Sequence, residues 1–225
     1  MKSMAEKVRG VWDGVYAGEE ALVPRSAQTG IIAVDEALDW LCEGAQSVID
    51  FGCGSGSMLF LCALRGTKRH TGIDFSPVGI RLARRRALLL GCGRYRFIAG
   101  GSEKLRGIGD ALEDAAILSN IADNLPPADA QFVLAQIRRI VRPGGRVLIK
   151  LNPYLGPDQI REWNIRVISG DLLDDGLLLW NLPTEKWAAL LRERFIIEGC
   201  TEAYYPEHAQ TNRVFTLQVP PPAEG

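Results

Sequence analysis

The chain has 225 residues, 47% hydrophobic and 24% charged, with a formal net charge of −1 and a pI near 6.2. That length holds one large domain with a sizeable core, and that charge supplies no global field for nucleic acid or an anionic membrane. Five scattered cysteines without CxxC spacing and only two histidines (His70 and His208) argue against a disulfide framework or a protein-borne zinc site. Reduced thiols in a cytoplasmic protein are the expectation. No apolar run reaches membrane-spanning length, and the opening residues lack a signal-peptide pattern.

In chain order, residues 1–30 are polar and glycine-rich around Trp12–Gly18, and predict a short helix or arm folded over a cleft. Ile31, Val34, Leu38 and Leu41 recur at helical spacing, so Ile31–Cys42 reads as an amphipathic helix ended by Gly44. Ser47–Phe51 is a short apolar run with Asp50 inside it, the pattern of a buried parallel strand. Gly52, Gly54 and Gly56 follow at alternate positions, where glycine lets the chain turn sharply and a ligand touch backbone. Met58–Leu64 reads as a helix whose free N–H groups face that turn.

Arg69–Ile73 predicts a second strand tipped by Asp74, 18 residues after Gly56. An acid there accepts hydrogen bonds from ribose hydroxyls in both NAD and S-adenosylmethionine (SAM) sites. Ser76-Pro77 is an N-cap with proline at the first helical position, opening a helix to Leu90. Its Arg81, Arg84, Arg85 and Arg86 are either a solvated face or an RNA-backbone patch. Tyr95–Ala99 and Asp114–Ser119 predict strands three and four. Asp123, beyond the fourth, either points at a substrate or caps the helix that Pro126-Pro127 opens. Arg142-Pro143-Gly144-Gly145 reads as a helix stop before strand five, Arg146–Leu151. Tyr154 is placed to line a pocket. Residues 156–181 predict a small inserted cap, a hairpin of Asn164–Ser169 and Leu177–Trp180 turning at Asp171–Gly176, with Trp163 or Trp180 as substrate contacts. Thr184 caps a last helix to Arg192, and Arg194–Glu198 and Val214–Val219 form an antiparallel pair joined by a loop carrying His208. The tail from Pro220 is expected to fray.

The dinucleotide fingerprint requires glycine where Ser57 stands. The run Asp50-x-Gly52-x-Gly54-x-Gly56, the strand-two acid Asp74 and the Arg142–Gly145 step instead resemble class I SAM-dependent methyltransferases over roughly residues 30–151. The resemblance implies an open, doubly wound α/β Rossmann-like sheet of seven strands, order 3-2-1-4-5-7-6, with strand seven antiparallel and helices on both faces. It divides the chain into an N-terminal arm or lid (1–30) and a methyltransferase domain (31–225) with 152–181 as inserted substrate cap. It implies SAM as cofactor, held by Tyr16, Asp50, Gly52, Cys53, Gly54, Gly56, Asp74, Phe75, Ser102, Glu103, Asn120 and Ile121. Tyr16 closes over it as a Trp–x3–Tyr arm does in many small methyltransferases. The family's adenine-contacting acid is replaced by Gly101, and Glu103 or the Ser102 N–H stands in for it.

The implied chemistry is SN2 transfer of the sulfonium methyl, with Asp123, Tyr154 and His208 as candidate bases by position and no metal. Near-neutral charge and the aromatic-bearing arm and cap favour a small-molecule acceptor and a monomer or homodimer. An RNA or protein methyltransferase, and a SAM-binding partner subunit without turnover, are the alternatives.

Overall fold

The computed structural model describes residues 4–221; the end of the expected tail, 222–225, lies outside the described residues. Helix α1 (Met4–Gly18) precedes α2 (Ile32–Cys42), and the domain then alternates: β1 (Ser47–Phe51), α3 (Ser57–Leu64), β2 (Arg69–Asp74), α4 (Pro77–Leu90), β3 (Arg94–Ala99), β4 (Glu113–Ser119), α5 (Pro127–Ile140) and β5 (Val141–Leu151). A cap segment follows, with α6 (Pro157–Glu162), β6 (Arg166–Ser169), β7 (Leu172–Asp174) and β8 (Leu178–Trp180). Helix α7 (Thr184–Arg192), β9 (Ile196–Tyr205) and β10 (Gln210–Gln218) close the chain.

The main sheet has seven strands in the order β3-β2-β1-β4-β5-β10-β9. With the cap strands set aside, this is the expected 3-2-1-4-5-7-6. Strands β1 to β5 run parallel, and β10 is antiparallel to both β5 and β9. Because β1 is covered on both faces, all five of its residues are buried, Ser47 and Asp50 included. On one face Ile49, Phe51, Ile149 and Phe215 meet the buried stripes of α5 (Val133, Leu134, Ile137) and α7 (Trp187, Leu191). On the other, Val48, Ile117 and Leu148 meet α2, α3 and α4 through Leu38, Leu41, Phe60 and Ile80. Burying Phe60 and Phe215 fully contributes about 1.5–3 kcal/mol each. His70 belongs to this core: it stacks on Tyr95 at 4.7 Å, hydrogen-bonds Thr67 at 2.7 Å, and burial lowers its pKa to about 4.

The connections obey the local chemistry of the sequence in most places. Ser76 Oγ accepts from Gly79 N at 3.0 Å and caps α4, and Gly91 ends that helix in the left-handed region. Thr184, in contrast, is the first helical residue of α7; the N-cap is Pro183, and no side chain caps the helix. Arg142–Gly145 is not a turn outside the sheet. It lies within β5, which starts at Val141 and takes up the extra length as a register irregularity against β4.

The cap differs most from expectation. Asp171–Gly176 is not one turn, because Leu172–Asp174 forms the central strand of a three-stranded antiparallel sheet, β6-β7-β8. The turns are made by Gly170 (φ 53°) and Gly176 (φ 78°), one on either side of the buried Leu173. Leu155, Ile165, Leu173 and Leu179 give the cap its own small apolar cluster. The final hairpin is also longer than the sequence suggests. It pairs out to Tyr205 and Gln210, leaving a turn of Pro206–His208 and Ala209. Polar, exposed positions on the edge strand β9 conceal it from a hydrophobicity pattern.

Candidate active site

The carboxyl ends of β1, β2, β4 and β5 converge on the glycine loop. Gly52 N and Cys53 N both donate to Ile73 O of β2, so the loop leaves β1 tied to its neighbour. Gly52 has φ 83°, and a β-carbon on it would lie 2.9 Å from the Ile121 side chain, which places the β4 tip directly on the loop. Gly54, at φ 51°, donates its N–H to Asp74 Oδ2 at 2.9 Å, and Asp74 Oδ1 accepts from Ser76 N at 2.8 Å. Asp74 thereby holds the loop and the start of α4 in register, with one further lone pair on each oxygen for a ligand.

Asp50 is fully buried at the end of β1, and neither of its carboxyl oxygens has a hydrogen-bond partner. A buried carboxyl without donors is costly unless a cation or donor arrives. Burial, and then the charge of Asp74, raise its pKa to about 8. Burial also raises Asp74, with Asp13 adding to it and the N–H groups of Ser76 and Gly54 opposing it. Asp13 accepts from Ser76 Oγ at 2.5 Å, and Glu19 accepts from Ser55 Oγ at 3.1 Å. The loop is therefore flanked by Asp13, Asp50 and Asp74, with Glu19 offset by Arg86, an acidic surplus that suits a cationic ligand.

Tyr16 covers this cluster. A β-carbon on Gly54 would lie 2.4 Å from its hydroxyl, and one on Gly79 2.8 Å from its ring, so only glycines admit it between the loop and α4. Trp12 stacks on Tyr16 at 5.7 Å. Burial foremost, then the Asp74, Cys53, Glu19 and Asp50 charges, hold the phenol well above its usual pKa. The arm is fixed further along by Arg86, which bonds Ser55 Oγ at 2.6 Å, the Leu22 carbonyl, and Glu19 at 3.7 Å.

A family model described as a methyltransferase domain matches residues 48–145. The matched segment carries a methyltransferase domain, on a Rossmann-like methyltransferase fold. The 1,6-didemethyltoxoflavin-N1-methyltransferase of Burkholderia thailandensis superposes with a TM-score of 0.69 at 23% identity, over 96% of this chain and 88% of that one; its structure holds S-adenosylhomocysteine. The tRNA N(3)-methylcytidine methyltransferase of Schizosaccharomyces pombe is 24% identical over 83% of this chain and 64% of its own length. The ribosomal protein L11 methyltransferase of Azotobacter vinelandii is 32% identical over 50% of this chain and 37% of its own length. This methyltransferase chain thus spans less than two thirds of either curated relative.

S-adenosylmethionine is the cofactor, and the site fits it: the two orphaned carboxyl oxygens of Asp50 suit an ammonium, and the free lone pairs of Asp74 suit a ribose. The structure brings together Tyr16, Asp50, Gly52, Cys53, Gly54, Gly56 and Asp74, with Ile121 on the loop and Asn120 beside it. Phe75 is half-buried next to Asp74. Ser102 opens a short 3-10 helix at the β3 end, where Glu103 accepts from Gly101 N at 3.1 Å, adjacent to the position the family's acid would hold.

The candidate bases separate. His208 is exposed on the β9–β10 turn, and Tyr154 is 43% exposed at the root of the cap. Asp123 does not cap α5, whose N-cap is Pro126. It is fully buried and accepts from Asn152 N at 2.7 Å and Asn152 Nδ2 at 3.2 Å. Trp163 is 56% exposed, and Trp180 packs edge-on against Trp187 at 5.1 Å. Sequence reasoning missed Asp13, Glu19, Asn152, Asn212 and Arg213. The first two carried a signal, since they lie on either side of Tyr16 at spacings that keep them on or near one helical turn. Asn152 follows the strand that was read correctly, whereas Asn212 and Arg213 lie on a part of β10 that was not read as strand.

Proposed function

We propose that this methyltransferase transfers a methyl group from SAM to a small-molecule acceptor enclosed between the N-terminal arm and the cap. The observation that carries the reading is the coverage of the acceptor edge. Asn124 Nδ2 bonds Leu178 O of β8 at 2.7 Å, and Asn181 exchanges two hydrogen bonds with Leu155 at 2.8 and 2.9 Å. The cap is thus tied to the sheet's carboxyl edge, while Tyr16 of the arm covers the cofactor loop. A bulky macromolecular acceptor would have to displace the cap.

SAM, when bound, supplies an electrophilic methyl on sulfur that an in-line acceptor takes in one displacement. The protein contributes alignment and exclusion of water. In this reading Asp50 meets the methionine ammonium and Asp74 the ribose. Ser102 and Glu103 meet the adenine, the Asn120–Ile121 backbone lies under the methionine, and Tyr16 closes the site. The toxoflavin-type enzyme with the same fold acts on a small heterocycle, which supports this choice.

One observation favours an RNA acceptor instead. Arg69 of β2 lies directly opposite Arg94 of β3, with Arg96 next along, all exposed. Glu113 offsets Arg69, the positive charge left over suits a polyanion, and one relative acts on tRNA. A coupled S-adenosylhomocysteine-release assay over amines, thiols, phenols, carboxylates and neutral heterocycles, run beside tRNA, separates the two. Turnover of a small acceptor, without salt-dependent tRNA binding, is the expected result; turnover of tRNA alone overturns it.

A further inference from the structure

The N-terminal arm carries an acid of its own into the cofactor site. Asp13 and Tyr16 lie three residues apart on α1 and so share one face of it. Tyr16 packs against Gly54 and Gly79, and Asp13 Oδ1 accepts from Ser76 Oγ. Ser76 N in turn donates to Asp74 Oδ1 at 2.8 Å. One serine thus bonds two carboxylates, one from the arm and one from β2. Burial foremost raises the Asp74 pKa, the Ser76 and Gly54 N–H groups oppose it, and the Asp13 charge adds to the rise. The neighbouring Asp50 carboxyl is fully buried with both oxygens unbonded. Among the described residues, no lysine or arginine forms an ion pair with Asp13, Asp50 or Asp74, whereas Glu19 has Arg86 at 3.7 Å. An arm docked in this way sets an uncompensated acid against two others. The repulsion is relieved by a cation placed among them.

The ligand loses just such a charge during the reaction. SAM carries an ammonium and a sulfonium against one carboxylate, a net charge of about +1 at neutral pH. In the transfer, the acceptor's electron pair forms the new bond to the methyl carbon, and the pair of the broken carbon–sulfur bond stays on sulfur. The product, S-adenosylhomocysteine, is a neutral thioether with no net charge. The ammonium and the ribose hydroxyls are the same before and after, so Asp50 and Asp74 keep their partners. The sulfur is bonded to both the methionine and the ribose portions, so it lies between the group met by Asp50 and the group met by Asp74. Only the charge at that point changes.

We propose that Asp13 makes closure of the N-terminal arm depend on the sulfonium charge, so that the arm closes over SAM and is released by S-adenosylhomocysteine. Asp13 is then a specificity-determining residue that tells the methyl donor from its spent form. The inference rests on the reading in which Asp50 meets the ammonium, Asp74 the ribose, and Tyr16 closes the site. Removing one unit charge from among partly buried acids is worth roughly tenfold in affinity. A purely mechanical role, with Asp13 tethering the arm through Ser76, makes a different prediction. Asparagine keeps an oxygen that accepts from Ser76 Oγ and drops only the charge, so a tether survives Asp13→Asn and a charge-dependent closure does not.

The test is calorimetric binding of SAM, S-adenosylhomocysteine and sinefungin to the full chain at pH 7.5 and low salt. In sinefungin a carbon bearing an amine replaces the sulfonium, so it is cationic without a methyl to transfer. The wild type should bind SAM and sinefungin roughly tenfold tighter than S-adenosylhomocysteine. Hydrogen exchange over residues 4–18 should slow more under the two cationic ligands than under the neutral one. In Asp13→Asn the preference should shrink to about twofold or less, with affinity for S-adenosylhomocysteine kept or improved and arm exchange alike under all three ligands. Asp13 lies on the arm, outside both core clusters of the sheet, and the wild-type exchange comparison needs no variant. Equal arm exchange under SAM and S-adenosylhomocysteine in the wild type overturns the inference. So does a preference that survives Asp13→Asn, an Asp13→Asn variant that loses all three ligands alike, or sinefungin binding no tighter than S-adenosylhomocysteine. Failure of the wild type to bind any of the three would instead overturn the underlying reading of the site.

Discussion

The two ends of the cleft are built from opposite kinds of polar group. At the β1–β2 end, Asp13, Glu19, Asp50 and Asp74 surround the loop, and the Asp50 oxygens make no hydrogen bond. At the β4–β5–β10 end, amides bond to one another, and the one carboxylate among them, Asp123, accepts from Asn152 on both oxygens. Unsatisfied acids await a cation; a satisfied amide chain offers shape and hydrogen-bond order to a neutral group. The first arrangement suits the charged donor of the methyl group, and the second suits discrimination among acceptors.

The largest expected effect follows from Asp74→Ala. It orphans the buried N–H groups of Gly54 and Ser76, at a cost of about 1–3 kcal/mol each. SAM affinity should fall by a further ~1–3 kcal/mol through the lost ribose partner. Urea unfolding and titration calorimetry read the two separately. A variant as stable as wild type, with unchanged SAM affinity, would remove Asp74 from the site.

Asp50 should behave differently because it holds nothing in the free protein. Asp50→Ala is expected to weaken SAM by about 1–3 kcal/mol with little loss of stability. Its pKa near 8 when folded, against 3.8 for an unperturbed aspartate, fixes the sign of the pH dependence. Between those values the unfolded chain releases a proton that the folded chain keeps, so this group's contribution, fully present below about pH 4, is lost as pH rises toward 8. Asp50→Asn should flatten that slope. A bound ammonium favours the carboxylate, so SAM binding below pH 8 should release a proton. Calorimetry in two buffers of different ionisation enthalpy measures it, and zero proton release would break the pairing of Asp50 with a cation.

The same contrast explains what the sequence disclosed. The cofactor end depends on contiguous signals, an acid and three alternate glycines in seven residues and Ser76-Pro77 opening a helix, so strand, loop, helix and sheet order could all be read locally. The acceptor end is assembled from residues far apart: Asn120, Asp123, Asn152 and Asn212 meet only because β4, β5 and β10 are neighbours in the sheet. Asn212 and Arg213 looked like loop, since the strand that holds them alternates amides with β-formers. Asp171–Gly176 looked like a turn because its acids outweighed the two leucines between them, and only burial of Leu173 makes a strand there.

The smallest effect tests whether the ends are energetically separate. Asn181→Ala removes both hydrogen bonds that clamp the cap root at Leu155 and orphans backbone groups that are buried there. The expected cost is about 1–3 kcal/mol, felt as local opening of the cap rather than of the domain, because the cap's cluster of Leu155, Ile165, Leu173 and Leu179 is distinct from both faces of the main sheet. Hydrogen exchange should quicken across 155–181 while the strands β1, β2 and β4 keep their protection and SAM affinity stays within about twofold, a shift under the ~1.4 kcal/mol that makes a factor of ten. If SAM affinity instead falls in step with cap opening, the donor and acceptor ends are coupled.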